Sequence, residues 1–318
     1  MMISPSVAAP ALNSRVSGGR AVKNRAHSAH DRRECLAAFG FIVPAVFGFL
    51  VFYLYPMIRG VQISFTDWDL ITPAHWVGID NYLKLLHDEY FGQAILITVI
   101  YVVVNISTQT IAGLAIAVLM QRITQSTVVR ALLLVPWLVP NVTVAVITLF
   151  VLDPNVGLIN HVLQYLGVGP IAFYGSPELA IYTVALVNSW RNMGYTALLI
   201  FAGIQTVPAM VYEAAEIDGA SVWRTFRSIT LPLIRPILVM VIVVSMIGSF
   251  QIFDTVAVAT KGGPVGSTRV IYFYIYEKAF QEGQMGYAAA MAVVLLLIIM
   301  VMTFIQMRVS RAADTDLG

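Results

Sequence analysis

The chain has 318 residues, of which 58% are hydrophobic and only 11% charged, and its mean hydropathy is +0.80. Typical globular chains hold about 45–50% apolar and about 25% charged residues, so this composition excludes an ordinary soluble domain and indicates several membrane spans. The net charge of +2 is too small to indicate a nucleic-acid partner. Because the one cysteine, Cys35, and the histidines show no ligand spacing, no bound metal or other cofactor is expected.

The start of the chain is rich in Ala, Ser, Gly and Arg and shows no apolar periodicity, so residues 1–34 are predicted to form a disordered basic cytoplasmic tail. Six apolar runs then reach the length of about 20 residues that a transmembrane helix needs. They lie at about residues 36–64, 93–120, 130–152, 179–203, 235–258 and 285–307. The sequence therefore predicts an all-α polytopic membrane protein, with a membrane domain over residues 35–310 and a C-terminal tail over residues 311–318.

Lys and Arg are unevenly distributed between the two sides that the six runs define. Most of them lie before the first run or after the second, fourth and sixth runs, which all fall on one side. Because loops rich in Lys and Arg stay in the cytoplasm, both termini are expected to be cytoplasmic. Pro136 and Pro140 are expected to kink the third span.

The longest cytoplasmic connection, residues 205–234, is predicted to form two helices joined at Gly219. Pro208 opens the first helix, and glycine readily adopts the left-handed conformation that follows a helix end. Ser221 can cap the second helix, which Pro232 is expected to end. An amphipathic segment lying on the membrane fits the pattern as well, although its acidic first half matches an anionic lipid surface poorly.

The run EAAEIDGASVWRTFRSITLP, residues 213–232, resembles the EAA loop of permease subunits in ATP-binding-cassette (ABC) importers, whose pattern is E-A-A, then G, then I-x-L-P. The similarity extends to the carbohydrate-uptake branch through four further motifs. These are YP at 55–56, WVGIDNY at 76–82, SFQIFD at 249–254 and TKGGPVGST at 260–268. The resemblance covers about residues 36–310 and implies a type I importer permease with six transmembrane helices in a prokaryotic-type cell membrane.

The resemblance also implies partners: a second permease subunit, two ABC ATPase subunits, an extracytoplasmic substrate-binding protein and a carbohydrate substrate. It implies that residues 205–234, called the coupling loop from here on, insert into a cleft of an ATPase subunit, with Glu213 paired to a basic group. The residues expected to contact the ATPase are Glu213, Ala214, Ala215, Asp218, Gly219, Ala220, Arg224, Leu231 and Pro232. ATP and Mg²⁺ would bind to the ATPase subunits, because this chain lacks a phosphate-binding glycine-rich lysine motif and a catalytic site of its own.

Polar side chains inside the spans are candidates for substrate binding, since polar groups are costly in the bilayer. The fourth and fifth spans each place such residues on one helical face at a similar depth, which indicates a hydrated cavity. The resemblance implies that the sugar is bound there, by Asn188, Arg191, Asn192, Tyr195, Ser245 and Ser249. Asn188, Tyr195 and Ser249 are expected to form hydrogen bonds, and Tyr195 or Trp190 to stack on the sugar.

Arg191 departs from the resembled pattern, because maltose-type members need no cation at this position. It is expected either to bind an anionic substrate, such as a sugar phosphate or uronate, or to pair with a carboxylate of a partner subunit. The structural pairing is favoured, since a charge inside the membrane needs a partner whether or not it meets substrate.

For the other polar residues near the spans, the sequence predicts hydrogen bonding or solvation. Asn105, Thr108 and Gln109 in the second span are expected to form hydrogen bonds between packed helices. Asp254, near the outer end of the fifth span, is expected to be solvated.

Two other functional classes compete with an importer subunit. A secondary active carrier for a small polar solute would need inverted repeats or an intramembrane carboxylate for ion coupling, and neither is evident in the sequence. A membrane enzyme would need a cluster of His, Asp or Glu within the spans, which is also not evident. The sequence therefore favours carbohydrate import, with the secondary carrier as the alternative.

Overall fold

The computed structural model describes residues 27–123 and 126–314, with side chains over residues 38–123 and 126–308. In these ranges the chain is almost entirely helical or in connecting turns, and it forms no β-sheet beyond one isolated bridge between Thr66 and Trp76. The helices are α1 (His27–Phe49), α2 (Tyr55–Ile63), α3 (Asp80–Leu86), α4 (Glu89–Ile123), α5 (Thr127–Leu138), α6 (Asn141–Val151), α7 (Leu158–Tyr165), α8 (Ala180–Ile204), α9 (Ala209–Ile217), α10 (Val222–Thr225), α11 (Leu231–Leu233), α12 (Arg235–Phe250), α13 (Ile271–Tyr276) and α14 (Met285–Asp314). Wider π-helical turns lie at Leu50–Leu54, Phe226–Thr230, Val256–Thr260 and Glu277–Gln281.

Three stretches are each long and apolar enough to cross a membrane alone: Ala38–Ile63, Glu89–Ile123 and Met285–Arg308. Three helix pairs meet the same criterion only together. They are bent by 89° between α5 and α6, by 76° between α8 and α9, and by 68° between the α10–α11 segment and α12. The described residues therefore contain three clear spans, and up to six when each bent pair counts as one.

The chain divides into two compact units, Met1–Ile58 and Arg59–Gly318. In the first unit, α1 begins at His27, so residues 27–34 are helical where the sequence analysis placed a disordered tail. This segment is rich in Arg and other residues compatible with a helix. The rest of the predicted tail, residues 1–26, lies outside the described residues. At the other end, α14 continues to Asp314, past the predicted boundary at residue 310, and residues 315–318 also lie outside.

The predicted kink in the third span is a sharp break between α5 and α6. Pro140 disfavours the helical conformation of the residue before it, and Val139 is extended, with φ −74° and ψ 132°. Pro136, in contrast, stays inside α5. Pro140 therefore ends one helix and starts another, and the break exposes the carbonyl groups at the end of α5.

The fifth span is shorter than predicted, because α12 ends at Phe250 instead of continuing to residue 258. The amide of Gln251 donates to Gly248 O and that of Ile252 to Ser249 O, both at 3.2 Å. These short-range bonds tighten the last turn and stop the helix. The break covers residues 251–253, and helical geometry resumes at Asp254, which leads into the π-helical turn Val256–Thr260.

Helices α4 and α8 pack closely along their lengths and form the centre of the second unit. A Cβ atom at Gly113 of α4 would lie 2.6 Å from Thr196 Cγ2 of α8, so a side chain does not fit there. On its other side α8 meets α5, where a Cβ atom at Gly194 would lie 1.8 Å from Leu133 O. Both glycines are therefore required by close helix approach.

The buried apolar residues form two clusters, one around Tyr101, Phe250 and Met291 and the other around Ile200 and Ile204. Along α4 and α8, the positions between these clusters are polar and buried. They are Asn105, Gln109, Asn188, Ser189 and Thr196. Since buried polar groups must be hydrogen-bonded to one another or to a ligand, this polar layer identifies where a site can lie.

Candidate functional site

The polar layer is held together by hydrogen bonds between helices. Asn105 Nδ2 donates to Ser249 Oγ of α12 at 2.9 Å, and Gln109 Nε2 donates to Thr196 Oγ1 of α8 at 2.7 Å. Thr108 Oγ1 is hydrogen-bonded to Ser189 Oγ. These contacts confirm the interhelical bonds predicted for Asn105, Thr108 and Gln109, and they fix α4, α8 and α12 around one space.

This space is a cavity of about 450 Å³, called the central cavity here. Helices α4, α8 and α12 form its walls, together with Trp137 at the end of α5 and Asn141 at the start of α6. All six residues that the sequence analysis assigned to substrate binding line it: Asn188, Arg191, Asn192, Tyr195, Ser245 and Ser249. The structure thus brings the six together, while their role in binding stays a prediction.

The chain itself already provides some of the hydrogen-bond partners of these residues. Asn188 is 5% exposed and its Nδ2 lies 3.3 Å from Thr255 Oγ1, while Asn192 Nδ2 donates to Asn188 O at 2.9 Å. Gln109 reaches Ser245 Oγ at 3.2 Å. These bonds orient the amides and hydroxyls, whose remaining donors and acceptors can serve a ligand.

An aromatic pair forms part of the wall of the central cavity. The rings of Trp137 and Tyr195 are stacked, with centroids 4.7 Å apart and planes inclined by 9°. Trp190, the other residue expected to stack on a sugar, is absent from the cavity lining and lines a separate apolar groove with Ile147 and Leu186. Five helical positions separate Trp190 from Tyr195, so the two side chains point to different faces of α8.

Arg191 stabilises the break between α5 and α6. Its Nε donates to Val139 O at 3.0 Å and its Nη2 to Trp137 O at 2.9 Å. The last carbonyls of a helix have no donors within the helix, and that end carries partial negative charge. The guanidinium therefore satisfies two such carbonyls and neutralises the end of α5. A partner carboxylate and an anionic substrate both stay open as further contacts.

Asp254 and Asn141 belong to the site although the sequence analysis did not assign them to it. Asn141 Nδ2 donates to Asp254 Oδ2 at 3.1 Å, and both residues line the central cavity. Asp254 was expected to be solvated at the outer end of a long helix. The helix α12 ends earlier, at Phe250, and Asp254 is half-buried in the lining of the central cavity. The sequence did offer one signal that Asn141 lies at a break between helices, because it directly follows the helix-breaking Pro140.

The coupling loop has the predicted glycine elbow. Gly219 has φ +67°, and its amide donates to Glu216 O at 3.0 Å while that of Ala220 donates to Ala215 O at 2.9 Å. This is the Schellman arrangement of a helix end, in which a left-handed glycine is preferred. Ser221 then caps α10, its Oγ accepting from the amide of Arg224 at 3.4 Å. Gly219 and Ser221 thus act as predicted.

The second helix of the coupling loop does not end at Leu231-Pro232, contrary to the prediction. It passes through Pro232 and stops at Ile234, where the chain bends into α12. The reason is the π-helical turn Phe226–Thr230, in which the amide of Leu231 donates to Phe226 O, five residues back. A wider turn relieves the clash between a proline ring and the carbonyl four residues earlier.

The outer part of the elbow is exposed. Of the residues expected to contact an ATPase, Glu213, Ala214, Asp218, Gly219 and Arg224 are exposed, Ala220, Leu231 and Pro232 are half-buried, and Ala215 is buried. Two large apolar side chains are exposed beside them, Ile217 at 87% and Trp223 at 66%. Tyr212 instead points inward, with its hydroxyl 3.3 Å from Thr230 Oγ1. Apolar side chains clustered on a surface outside the spans are typical of a protein contact.

On the opposite side of the molecule, Asp88 connects three helices. It precedes α4 and accepts hydrogen bonds from the amides of Tyr90 and Phe91 and from the hydroxyls of Tyr274 at 2.8 Å and Tyr287 at 2.6 Å. Burial opposes ionisation of Asp88, but the hydrogen bonds from Tyr287, Tyr274 and the amides outweigh it and lower its pKa.

Over residues 27–123 and 126–314, no group of three or more His, Cys, Asp or Glu side chains is arranged to hold a metal ion. The lining of the central cavity offers hydrogen bonding, aromatic stacking and one charge of each sign.

Residues 109–314 match the family described as "Binding-protein-dependent transport system inner membrane component". The chain is 32% identical over 281 residues to the trehalose/maltose transport system permease protein of Thermococcus litoralis, covering 88% of this chain and 95% of that one. It is also 32% identical over 287 residues to the sulfoquinovosyl glycerol transport system permease protein of Agrobacterium fabrum, covering 89% and 93%. The fold is similar to a chain of a bacterial ABC transporter that imports the acidic polysaccharide alginate, with a TM-score of 0.79, 23% identity and coverage of 90% and 99%.

Proposed function

The chain belongs to the family of binding-protein-dependent transport system inner membrane components, and we propose that it is the permease subunit of an ABC importer for a carbohydrate. The observation that carries this proposal is the central cavity, in which amides, hydroxyls and a stacked aromatic pair converge at the middle of the bent helix bundle. Sugars present hydroxyl groups and apolar ring faces, and these are the groups that such a lining binds. The two relatives compared above are named for different sugars, so the family leaves the individual sugar open.

The chain crosses the membrane six times, with both termini in the cytoplasm. Each of the three bent helix pairs supplies one span: α5 and α6 together form one, α8 forms another and α12 the third, while α9 and the α10–α11 segment belong to the coupling loop. The excess of Lys and Arg before the first span and after the second, fourth and sixth supports this orientation. It places the coupling loop in the cytoplasm and the Asp88 region outside, in the inner or plasma membrane of a prokaryotic-type cell.

The exposed elbow of the coupling loop is the contact with an ATPase subunit. The residues proposed for this contact are Glu213, Ala214, Ala215, Asp218, Gly219, Ala220, Arg224, Leu231 and Pro232. Of these, Ala215 is buried and Ala220, Leu231 and Pro232 are half-buried, while Ile217 and Trp223 add exposed apolar surface. Glu213 pairs with a basic group of the ATPase. A cytoplasmic helix pair that is polar, exposed and flanked by apolar side chains fits a protein cleft better than a lipid surface, since Glu213, Glu216 and Asp218 would repel anionic lipids.

Movement of the elbow reaches the central cavity through continuous backbone. The amide of Ile234, which is fully buried, donates to Thr230 O, and Leu238 of α12 donates to Ile234 O, both at 3.0 Å. On the other arm, the turn between α8 and α9 is closed by Thr206 and Val207, whose amides donate to Gly203 and Ile204. Because α8 and α12 carry the six proposed substrate contacts, a force on the elbow changes the cavity.

The central cavity takes one side of the substrate, and a second permease subunit encloses the rest. Asn188, Arg191, Asn192, Tyr195, Ser245 and Ser249 form this chain's side of it. Two ATPase subunits bind ATP and Mg²⁺ and perform the hydrolysis, while this chain has no catalytic role. An extracytoplasmic binding protein delivers the sugar. Closure of the ATPase pair around ATP opens the cavity to the outside, and hydrolysis returns it to the inside.

Co-purification tests this assembly. The chain is expressed with its genomic neighbours, isolated through a tag and analysed by mass spectrometry and an ATPase assay. We expect a second permease and an ATPase in the complex, with ATP hydrolysis stimulated by the loaded binding protein. A stable preparation that contains no ATPase contradicts the proposal and favours the secondary carrier.

A further inference from the structure

The lining of the central cavity contains one charge of each sign. Among the described lining residues, Arg191 and Asp254 are the charged ones, and all others are polar amides, hydroxyls or apolar groups. The two charges lie on different elements, Arg191 on α8 and Asp254 at the start of the helical turns that follow the break after α12. A charge within a span is costly. The ligands that the cavity can hold therefore depend on the sign of that charge and on whether an opposite charge lies in the same cavity.

All three guanidinium nitrogen atoms of Arg191 already donate a hydrogen bond to the chain itself. Its Nε and Nη2 bind the carbonyls of Val139 and Trp137, and its Nη1 lies 3.4 Å from Asn192 Oδ1. A guanidinium recognises a carboxylate or phosphate best by offering two parallel N–H groups. Here that fork is directed at the end of α5, so Arg191 is held as a positioning residue and does not offer its full donor set to a ligand.

Asp254 is fixed in a complementary way. Asn141 Nδ2 donates to its Oδ2 at 3.1 Å, so the carboxylate is oriented by the residue that starts α6, on the far side of the same break. An anionic ligand in the central cavity therefore meets a fixed carboxylate as well as a cation that is already hydrogen-bonded. A like charge at close range in a low-dielectric site costs far more than it does in water.

We propose that Arg191 and Asp254 form a charge-compensating pair, which makes this chain's side of the central cavity electrically neutral and selects uncharged saccharides over anionic ones such as uronates and sugar phosphates. Arg191 holds the break between α5 and α6, and Asp254 cancels the attraction that its cation would otherwise exert on anions. The substrate part of this proposal rests on the proposed function, whereas the charge balance does not.

The charge balance can be measured without knowing the sugar. Trp137 lines the cavity and is 36% exposed, so its fluorescence can be quenched by small solutes. The assembled complex is titrated with iodide, an anion, and with acrylamide, which is neutral. Subtracting the same titration of a Trp137→Phe complex isolates the signal of Trp137. The ratio of iodide to acrylamide quenching then reports how readily an anion enters.

Asp254→Asn, which keeps the shape of the side chain, is expected to raise this ratio by at least about threefold. Arg191→Gln is expected to lower it, and the double variant should return it close to the wild-type value. Glu178→Gln, which removes an exposed carboxylate outside the cavity, is the matched control and should leave the ratio unchanged. An unchanged ratio in Asp254→Asn overturns the proposal, and this variant decides the outcome even if Arg191→Gln fails to assemble.

The substrate part is tested with methyl glucoside and methyl glucuronide, which differ by one carboxylate. In the wild-type complex the glucoside should protect Trp137 from acrylamide and the glucuronide should not, whereas in Asp254→Asn the glucuronide should protect as well. Equal protection by both in the wild type overturns the selectivity. The same comparison is made with further pairs of a neutral methyl glycoside and its uronate; if no member of any pair protects while Asp254→Asn still raises the iodide ratio, the charge pair stands and the carbohydrate assignment fails.

Discussion

Asp88 illustrates how one side chain can join elements that are distant in the sequence. It is held by two amides at the start of α4 and by the hydroxyls of Tyr274 and Tyr287, nearly 200 positions away. The carboxylate accepts all these bonds only when it is ionised. Its lowered pKa follows from these hydrogen bonds, which join the start of α4 to α13 and α14.

We predict a specific pH dependence for this contact. Because the pKa of Asp88 is lower in the folded chain than its ordinary value of 3.8, its contribution is complete well above pH 3.8 and is lost as the pH falls through the folded pKa. The Tm difference between wild type and Asp88→Asn, measured in detergent from pH 7 downward, should be constant near neutrality and shrink below about pH 4.

The tyrosines supply the control for this prediction. Tyr274→Phe together with Tyr287→Phe removes two of the donors that lower the pKa of Asp88, so the folded pKa moves back up and the difference should shrink less below about pH 4 than in the wild-type background. A Tm difference that grows as the pH falls would contradict the assignment.

At the scale of elements, the break between α5 and α6 and the packing of α8 position the central cavity. Gly194 allows α8 to approach α5 so closely that a Cβ atom there would overlap Leu133 O. The same approach brings Arg191, one turn away on α8, to the carbonyls at the end of α5. The cavity wall thus depends on a residue that has no side chain.

Gly194→Ala should therefore separate α5 from α8. We expect a loss of about 1–3 kcal/mol in stability, since the opposing atoms belong to backbone and cannot move aside, together with impaired transport. The measurement is the Tm of the purified complex and its transport rate. Gly92→Ala is the matched control, because nothing lies within 4 Å of a Cβ atom at that position in α4. Equal effects of the two variants would contradict the packing argument.

The coupling loop is the second element with a testable role. Glu213→Lys reverses a charge on the exposed elbow without disturbing buried contacts, so the protein should fold and reach the membrane normally. We predict that ATP-driven uptake falls at least about tenfold, since a charge pair at the ATPase contact is replaced by repulsion. Glu178→Lys, an exposed charge reversal at the other face, should keep normal uptake. Normal uptake in Glu213→Lys would count against the docking assignment.

For the whole molecule, the sequence predicted most reliably what is decided locally. At Gly219 and Ser221 the residue type itself indicates the local conformation, a left-handed helix end and a helix cap. The polar faces of α8 and α12 follow from helical spacing alone. Asp254 was misplaced because its environment depends on where α12 stops, which is set by tight turns after Gly248. Arg191 was recognised as unusual, but its contact with the end of α5 depends on an 89° break whose size no local pattern determines.

As part of an importer, this chain moves a carbohydrate with energy from ATP. The most direct measurement is uptake of radiolabelled saccharides into proteoliposomes that contain the permease pair, the ATPase subunits and the binding protein. We predict uptake that requires ATP and continues when ionophores collapse all ion gradients. Uptake that proceeds without ATP and stops when an ion gradient is removed would contradict the account and identify a secondary carrier.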